Sequence, residues 1–207
     1  MTNLPILGAD EHDLLQELFN LGVGQAASAL SKIVKQEVVL SVPIIEFRNR
    51  AEMVRELGED RTICSIRQAM GGPFSAESML MFPDESGLEV VRLMLDNQLS
   101  NETLAELQEE ALSEIGNIVL NACIGAISNA TRKTFTVGLP NFDVARPIEL
   151  FNVTSSTQDD VVLLVRISMT LSASSVKGYM AFILGDLSLD ELSKILNLLL
   201  KRIDSAA

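Results

Sequence analysis

Residues 13–43 read DLLQELFNLGVGQAASALSKIVKQEVVLSVP, and residues 110–140 read EALSEIGNIVLNACIGAISNATRKTFTVGLP. Overlaid, the two stretches share an acid (Asp13, Glu110), a Glu (Glu17, Glu114), an Asn (Asn20, Asn117) and a Pro (Pro43, Pro140), each pair offset by 97 residues. Residues three apart on a helix occupy neighbouring turns of one face, so each Glu and Asn can project together toward one partner. The same polar pair is thus presented twice.

A wheel at about 100 degrees per residue sorts residues 13–34 as an amphipathic helix. Leu14, Leu15, Leu18, Phe19, Gly22, Ala26, Ala29, Leu30 and Ile33 form a broad apolar side, and Asp13, Glu17, Asn20, Gly24, Ser28, Ser31 and Lys35 a narrow outward strip. In the second stretch Leu112, Ile115, Val119, Cys123, Ala126, Ile127 and Ala130 are the inward set. Glu110, Glu114, Asn117, Asn121, Gly125, Ser128 and Arg132 are the outward one.

Each helix leads into a strand ending at its proline, over 37–42 and 134–139, where β-branched and aromatic residues gather. Further strands are expected at 62–69, 74–82, 161–170 and 176–183, with a turn at Gly71, Gly72 and Pro73. Ser86 with Glu89 and Ser188 with Glu191 have capping-box spacing, predicting a shorter helix at the close of each half. The last helix carries the apolar stripe Leu192, Ile195, Leu196, Leu199 and Ile203 and is expected to dock on the body. Residues 96–103 form a polar joint. Between positions 17 and 43 only Ala29 with Ala126 and Ser31 with Ser128 match besides Glu, Asn and Pro, so the recurring order of elements is the stronger sign of duplication. The expectation is one α+β domain over 1–207, built of two pseudo-repeats (about 10–98 and 102–204). Its pseudo-two-fold sheet carries two long motif-bearing surface helices and shorter capped helices.

A net charge of -12, from 28 acidic against 16 basic residues, argues against a nucleic-acid partner, which a clustered positive surface would attract. No apolar run reaches the roughly 18 residues of a membrane span, and Met1 to Asp13 lacks the features of a signal peptide, so no membrane insertion and a cytoplasmic location are expected. Cys64 and Cys123 sit among apolar residues and read as core filler. His12 is the single histidine, which leaves no protein metal site and no cofactor of the chain's own. Gly22, Gly24 and Ala26 spell a G-x-G-x-x-A string, but inside a helix rather than after a strand. The methionines, Met79 and Met81 among them, read as core, and Asp84, Glu85, Asp159 and Asp160 as solvated loop acids.

An exposed Glu or Asn taken singly is a solvated side chain. Solvation alone does not require the same two residues to return at the same helical phase. Asn joins an acceptor and a donor on a short stem, which suits holding a water in a chosen direction; Glu can pair with a cation. The pair has no nucleophile and no base near neutral pKa, so it makes sense where the partner supplies the rest. Phosphoryl transfer fits, because its transition state needs chiefly an aligned water and charge neutralisation. A hundredfold acceleration needs about 2.7 kcal/mol.

The acid–Glu–Asn–Pro pattern resembles the signature of the CheC, CheX and FliY phosphatases of bacterial chemotaxis, and its two complete copies resemble CheC in particular. The resemblance covers nearly the whole chain. It implies hydrolysis of the aspartyl phosphate of a CheY-like response regulator, with Asn20 and Asn117 orienting the attacking water and Glu17 and Glu114 pairing with the regulator's lysine. Asp13, Glu110, Pro43 and Pro140 would support the motif, each proline ending a strand and setting a turn beside the site. The Mg²⁺ would belong to the regulator. The receptor deamidase CheD would be a further partner. Glu110 departs from the usual Asp or Ser, which implies a weaker or differently dedicated second site. The rival reading is a non-catalytic binding module for receiver domains, CheD or flagellar switch components.

Overall fold

A computed structural model of the chain describes residues 7–95, 100–154, 156–157, 160–171 and 174–205. In chain order its elements are α1 (Ala9–Val34), β1 (Val38–Leu40), β2 (Ile44–Asn49), α2 (Arg50–Leu57), β3 (Ile63–Gly71), β4 (Ala76–Pro83) and α3 (Asp84–Met94). The same succession returns as α4 (Asn101–Thr131), β5 (Thr136–Val137), β6 (Asn141–Ala145), α5 (Pro147–Leu150), β7 (Val161–Leu171), β8 (Ser174–Leu184) and α6 (Asp186–Asp204).

All strand pairings are antiparallel and run β1-β7-β8-β4-β3-β5, with β2 also on β7 and β6 also on β3. The halves exchange their edge strands. The pairing Ile44↔Arg166 on one side has its counterpart in Asn141↔Arg67 on the other, and Val39↔Thr170 in Thr136↔Gly71. Both arginines reach an acid on the strand received from the other half, Arg166 to Glu46 at 2.8 Å and Arg67 to Asp143 at 3.7 Å.

Apolar residues line both sheet faces, as a sheet between two helical layers requires. Ile66, Leu80, Phe82, Leu163, Val165, Met180 and Phe182 join α1, α3, α4 and α6 in the larger cluster. Ile63, Met79, Met81, Val162, Leu164 and Ala181 join α2 and α5 in the smaller one. The two long helices meet where Gly22 lies against the α4 backbone: a β-carbon there would come within 2.5 Å of the Cys123 α-carbon.

Several local expectations are corrected. Ser86 and Ser188 do not cap: α3 and α6 begin two residues earlier, after Pro83 and Gly185, with no side-chain cap hydrogen bond. Instead the buried Ser188 hydroxyl accepts the Ser75 N–H at 3.3 Å. A capping box does form at Asn49 and Glu52, opening α2, which the sequence reading missed along with α5, β2 and β6. Of the expected joint, residues 96–99 lie outside the described residues. Ser100 caps α4, its hydroxyl accepting the Thr103 N–H at 3.2 Å, so residues 101–103 are helix. The stripe of α6 docks through Leu192, Ile195 and Leu196, whereas Ile203 is exposed. Ile33 of α1 is exposed as well.

Asp84 and Glu85 open α3 rather than a loop. Asp160 pairs with Arg50 at 3.0 Å, while Asp159 lies outside the described residues. The helix α4 contains an 18-residue window apolar enough to cross a membrane, against expectation, but half of that window is buried inside the protein.

The helix crossing gives two opposite expectations. Gly22→Ala destabilises the protein by about 1–3 kcal/mol, because the added methyl meets backbone that cannot yield. Gly24→Ala, where nothing lies within 4 Å, stabilises it by about 0.4–1 kcal/mol through the unfolded chain and helix propensity. Urea unfolding of both variants checks the difference in sign.

Candidate functional site

The motif sits at equivalent places on α1 and α4. Asp13, Glu17, Glu110 and Glu114 are exposed; Asn20 and Asn117 are half-buried. Neither Glu17 nor Glu114 has a hydrogen-bond or ion-pair partner among the described residues, so both carboxylates are available to a partner's cation. Beyond each pair the strip stays low, with nothing within 4 Å of where a β-carbon would stand on Gly24 or Gly125. The two matching serines anchor the helix ends: Ser31 Oγ accepts the Val38 N–H at 2.9 Å, and Ser128 Oγ donates to the Lys133 carbonyl at 2.6 Å. Just after these serines both helices stop at a left-handed residue, Lys35 or Arg132.

Pro43 and Pro140 occupy a feature the sequence reading did not anticipate. The expected turn is a one-residue bulge, since the chain continues along the same neighbour on both sides of the proline. Between the pairs Leu40↔Met169 and Ile44↔Arg166, three residues (41–43) face two (167–168). Between Val137↔Met70 and Asn141↔Arg67, residues 138–140 likewise face 68–69. A proline can sit there because a bulge on an outer strand leaves its position out of the ladder. The bulges thrust an apolar side chain outward in each half, Val42 at 66% exposure and Leu139 at 91%.

The two Asn residues differ in their surroundings. Asn117 Oδ1 accepts from Gln68 Nε2 at 3.0 Å and from Asn121 Nδ2 at 2.6 Å, and Gln68 Nε2 also donates to the Gly138 carbonyl at 3.2 Å. The Asn20 side chain has no hydrogen bond to a described residue. By the strand registers Gln68 corresponds to Ile167, and by the helix offset Asn121 corresponds to Gly24. The signal for Gln68 was a polar residue interrupting the inward set Cys64, Ile66 and Met70 on β3. Only the register shows that it lies beneath Asn117.

Both cysteines are buried and free. Cys64 is not simple apolar filler: its Sγ lies 3.1 Å from Asp84 Oδ1 and 3.2 Å from Gln108 Nε2. Burial first, then Asp84, raises its pKa far above the ordinary thiol range, and burial pushes Cys123 up to about 12. His12 faces the Ile45 carbonyl at 3.4 Å. Among the described residues no group of three metal-ligating side chains gathers.

The fold and site therefore define an α+β protein that displays one Glu/Asn pair on each of two packed helices, beside matching bulges. No family model matches the chain. It is 25% identical over 135 residues to the CheY-P phosphatase CheC of Bacillus subtilis, 63% of this chain and 65% of that protein. To the flagellar motor switch phosphatase FliY of the same organism it is 22% identical over 172 residues, 80% of this chain and 43% of FliY. The aligned stretch thus spans less than two thirds of either relative. The crystal structure of Thermotoga maritima FliY superposes with a TM-score of 0.75 at 16% identity, covering 93% of this chain and 98% of that one. The CheX–CheY–BeF3–Mg complex of Borrelia burgdorferi gives 0.52 at 15% identity, over 82% and 97%. The FliM middle domain from H. pylori gives 0.63 at 11%, over 91% and 99%. In sequence the chain is thus similar to CheC and FliY, and in fold to FliY, CheX and FliM.

The thiols permit a direct check. Unfolded thiols ionise near the ordinary value of 9.0, whereas folded Cys123 does so only near 12, so its contribution to stability is full below about 9 and is lost as pH rises toward 12. In the native protein at pH 8 neither cysteine reacts with Ellman's reagent on a timescale of minutes, while both react in denaturant. Rapid native labelling of either contradicts the assignment.

Proposed function

We propose that the chain promotes hydrolysis of the aspartyl phosphate of a CheY-like receiver domain. The carrying observation is the doubled Glu/Asn pair, half open to solvent on a low helix strip, in a chain whose relatives include a CheY-P phosphatase. A water attacks phosphorus, the bond from phosphorus to the aspartyl oxygen breaks, and inorganic phosphate and the free carboxylate result. Asn20 or Asn117 enters the receiver's site and aligns that water, while Glu17 or Glu114 pairs with a receiver lysine and holds the helix in place. The Mg²⁺ is the receiver's own and neutralises developing charge there. The solved CheX–CheY complex supports a receiver as the kind of partner this fold accepts.

With a net charge of -12, long-range attraction to an acidic phosphorylated site does not drive the encounter, and local fit does. A transient complex with Kd of micromolar order, roughly -8 kcal/mol, suits a phosphatase that must release its product. Val42 and Leu139, exposed beside the pairs, supply apolar contact area. This work belongs in the cytoplasm, where CheD is a second partner on the same family reading.

The likeness to FliM favours one rival, a module that binds a receiver or switch component without turnover. The two readings part at the Asn residues. With phosphorylated receiver and Mg²⁺, the variant Asn20→Ala/Asn117→Ala lowers the rate of phosphate release by about a hundredfold while receiver affinity changes less than about threefold. Loss of binding without a separate loss of turnover supports the module. An undiminished rate rejects the chemistry.

A further inference from the structure

The two motif sites present the same residue in different chemical states. Gly138 contributes a backbone carbonyl, which can only accept, so the nitrogen of Gln68 must face it. The second hydrogen on that nitrogen points to Asn117, which must therefore offer its oxygen; Asn121 must then offer its own nitrogen to the same atom. Both lone pairs of the Asn117 carbonyl are taken, leaving its N–H₂ as the uncommitted end among the described residues. Among the described residues no group hydrogen-bonds the Asn20 side chain, whose counterparts to Gln68 and Asn121 are Ile167 and Gly24.

Packing does not explain Gln68. It is 2% exposed, and its Oε1 has no partner among the described residues, whereas Ile167 fills the matching place in the other half without a buried polar group. A buried amide with an unsatisfied oxygen persists where its other end has a task.

The geometry points to Gln68 as the positioning residue that makes the sites unequal: it turns the Asn117 oxygen inward, so that the second site offers donors and the first a free acceptor. The inference rests on the phosphatase reading. An attacking water directs a lone pair at phosphorus while one of its O–H groups donates a hydrogen bond to the aligning residue; a carbonyl oxygen accepts that bond and an N–H₂ does not, and the proton leaves with the phosphate product. Releasing the Asn117 oxygen breaks two neutral hydrogen bonds, which lowers the population of the competent rotamer by roughly tenfold or more. Ordering the free Asn20 side chain exacts less. Most turnover therefore passes through Asn20, and Gln68 restrains the second site.

The test measures kcat and KM for phosphorylated receiver, with far-ultraviolet melting as the folding control. Asn20→Ala lowers kcat about tenfold and Asn117→Ala less than about twofold. Adding Gln68→Ile, the residue found at 167, to Asn20→Ala raises kcat about fivefold, with KM moving less than about twofold. Asn121→Ala, which removes the other donor from the helix surface, gives a smaller gain and decides the matter if Gln68→Ile does not fold. A larger loss from Asn117→Ala than from Asn20→Ala overturns the inference. So does the absence of any gain from releasing the oxygen, or an equal gain in the Asn117→Ala background, where no carboxamide remains to be freed. If the native chain releases no phosphate, or the double Asn variant keeps its rate, the phosphatase reading falls first. Hydrolysis lost in the double variant but indifferent to Gln68 and Asn121 defeats this inference alone.

Discussion

The exchange of edge strands across the centre of the sheet is the constraint from which the rest follows. Each half sends its short strand, bulge and following strand onto the long strand of the other, while β4 and β8 pair in the middle. Pairing on a ladder specifies register to a single residue, since a slip of one turns every apolar side chain to the opposite face. With that register set, α1 and α4 lie over the same apolar face and meet at Gly22, where only a missing β-carbon allows the backbones so close. The motif helices are therefore packed elements of a core, and their Glu and Asn residues stand on rigid support.

Such support matters for the proposed function, in which the site supplies alignment rather than reactive groups. A carboxamide that orients a water contributes through geometry, and geometry on a frayed surface helix would be averaged away. The serines at the helix ends, the left-handed residues that stop both helices and the one-residue bulges all limit that averaging. They also explain a pattern that otherwise looks arbitrary. Pro43 and Pro140 recur at one distance from Asn because the bulge must fall at one place relative to the helix, on the outer strand that passes beneath it.

Much of the architecture was legible because periodicity reports burial directly. The apolar stripes of residues 13–34 and 110–131 and the apolar-rich runs at β3, β4, β7 and β8 have long signals. The short elements were not. Strand β6 is five residues long with none of them buried, α5 is a single turn, and α2 opens with an Asn cap rather than a Ser. The capping boxes read at Ser86 and Ser188 failed because correct spacing is a local permission. Pro83 and Gly185 already start those helices, and Ser188 is spent on Ser75.

Sequence alone determined the doubled Glu/Asn pair, its helical phase and the exposure of its two Glu side chains, since all three depend on spacing within one element. It determined too that the cysteines lie inward, from the apolar company they keep. Tertiary structure decided which strands each half lends to the other, that the prolines mark bulges rather than turns, and that Gln68 reaches Asn117 while no described residue hydrogen-bonds the Asn20 side chain. Those facts depend on groups 49 or more residues apart in the chain, brought together by ladder register and helix crossing. Local propensity carries no information about such distances, because the free energy that selects them is gained only when both apolar sheet faces are buried at once.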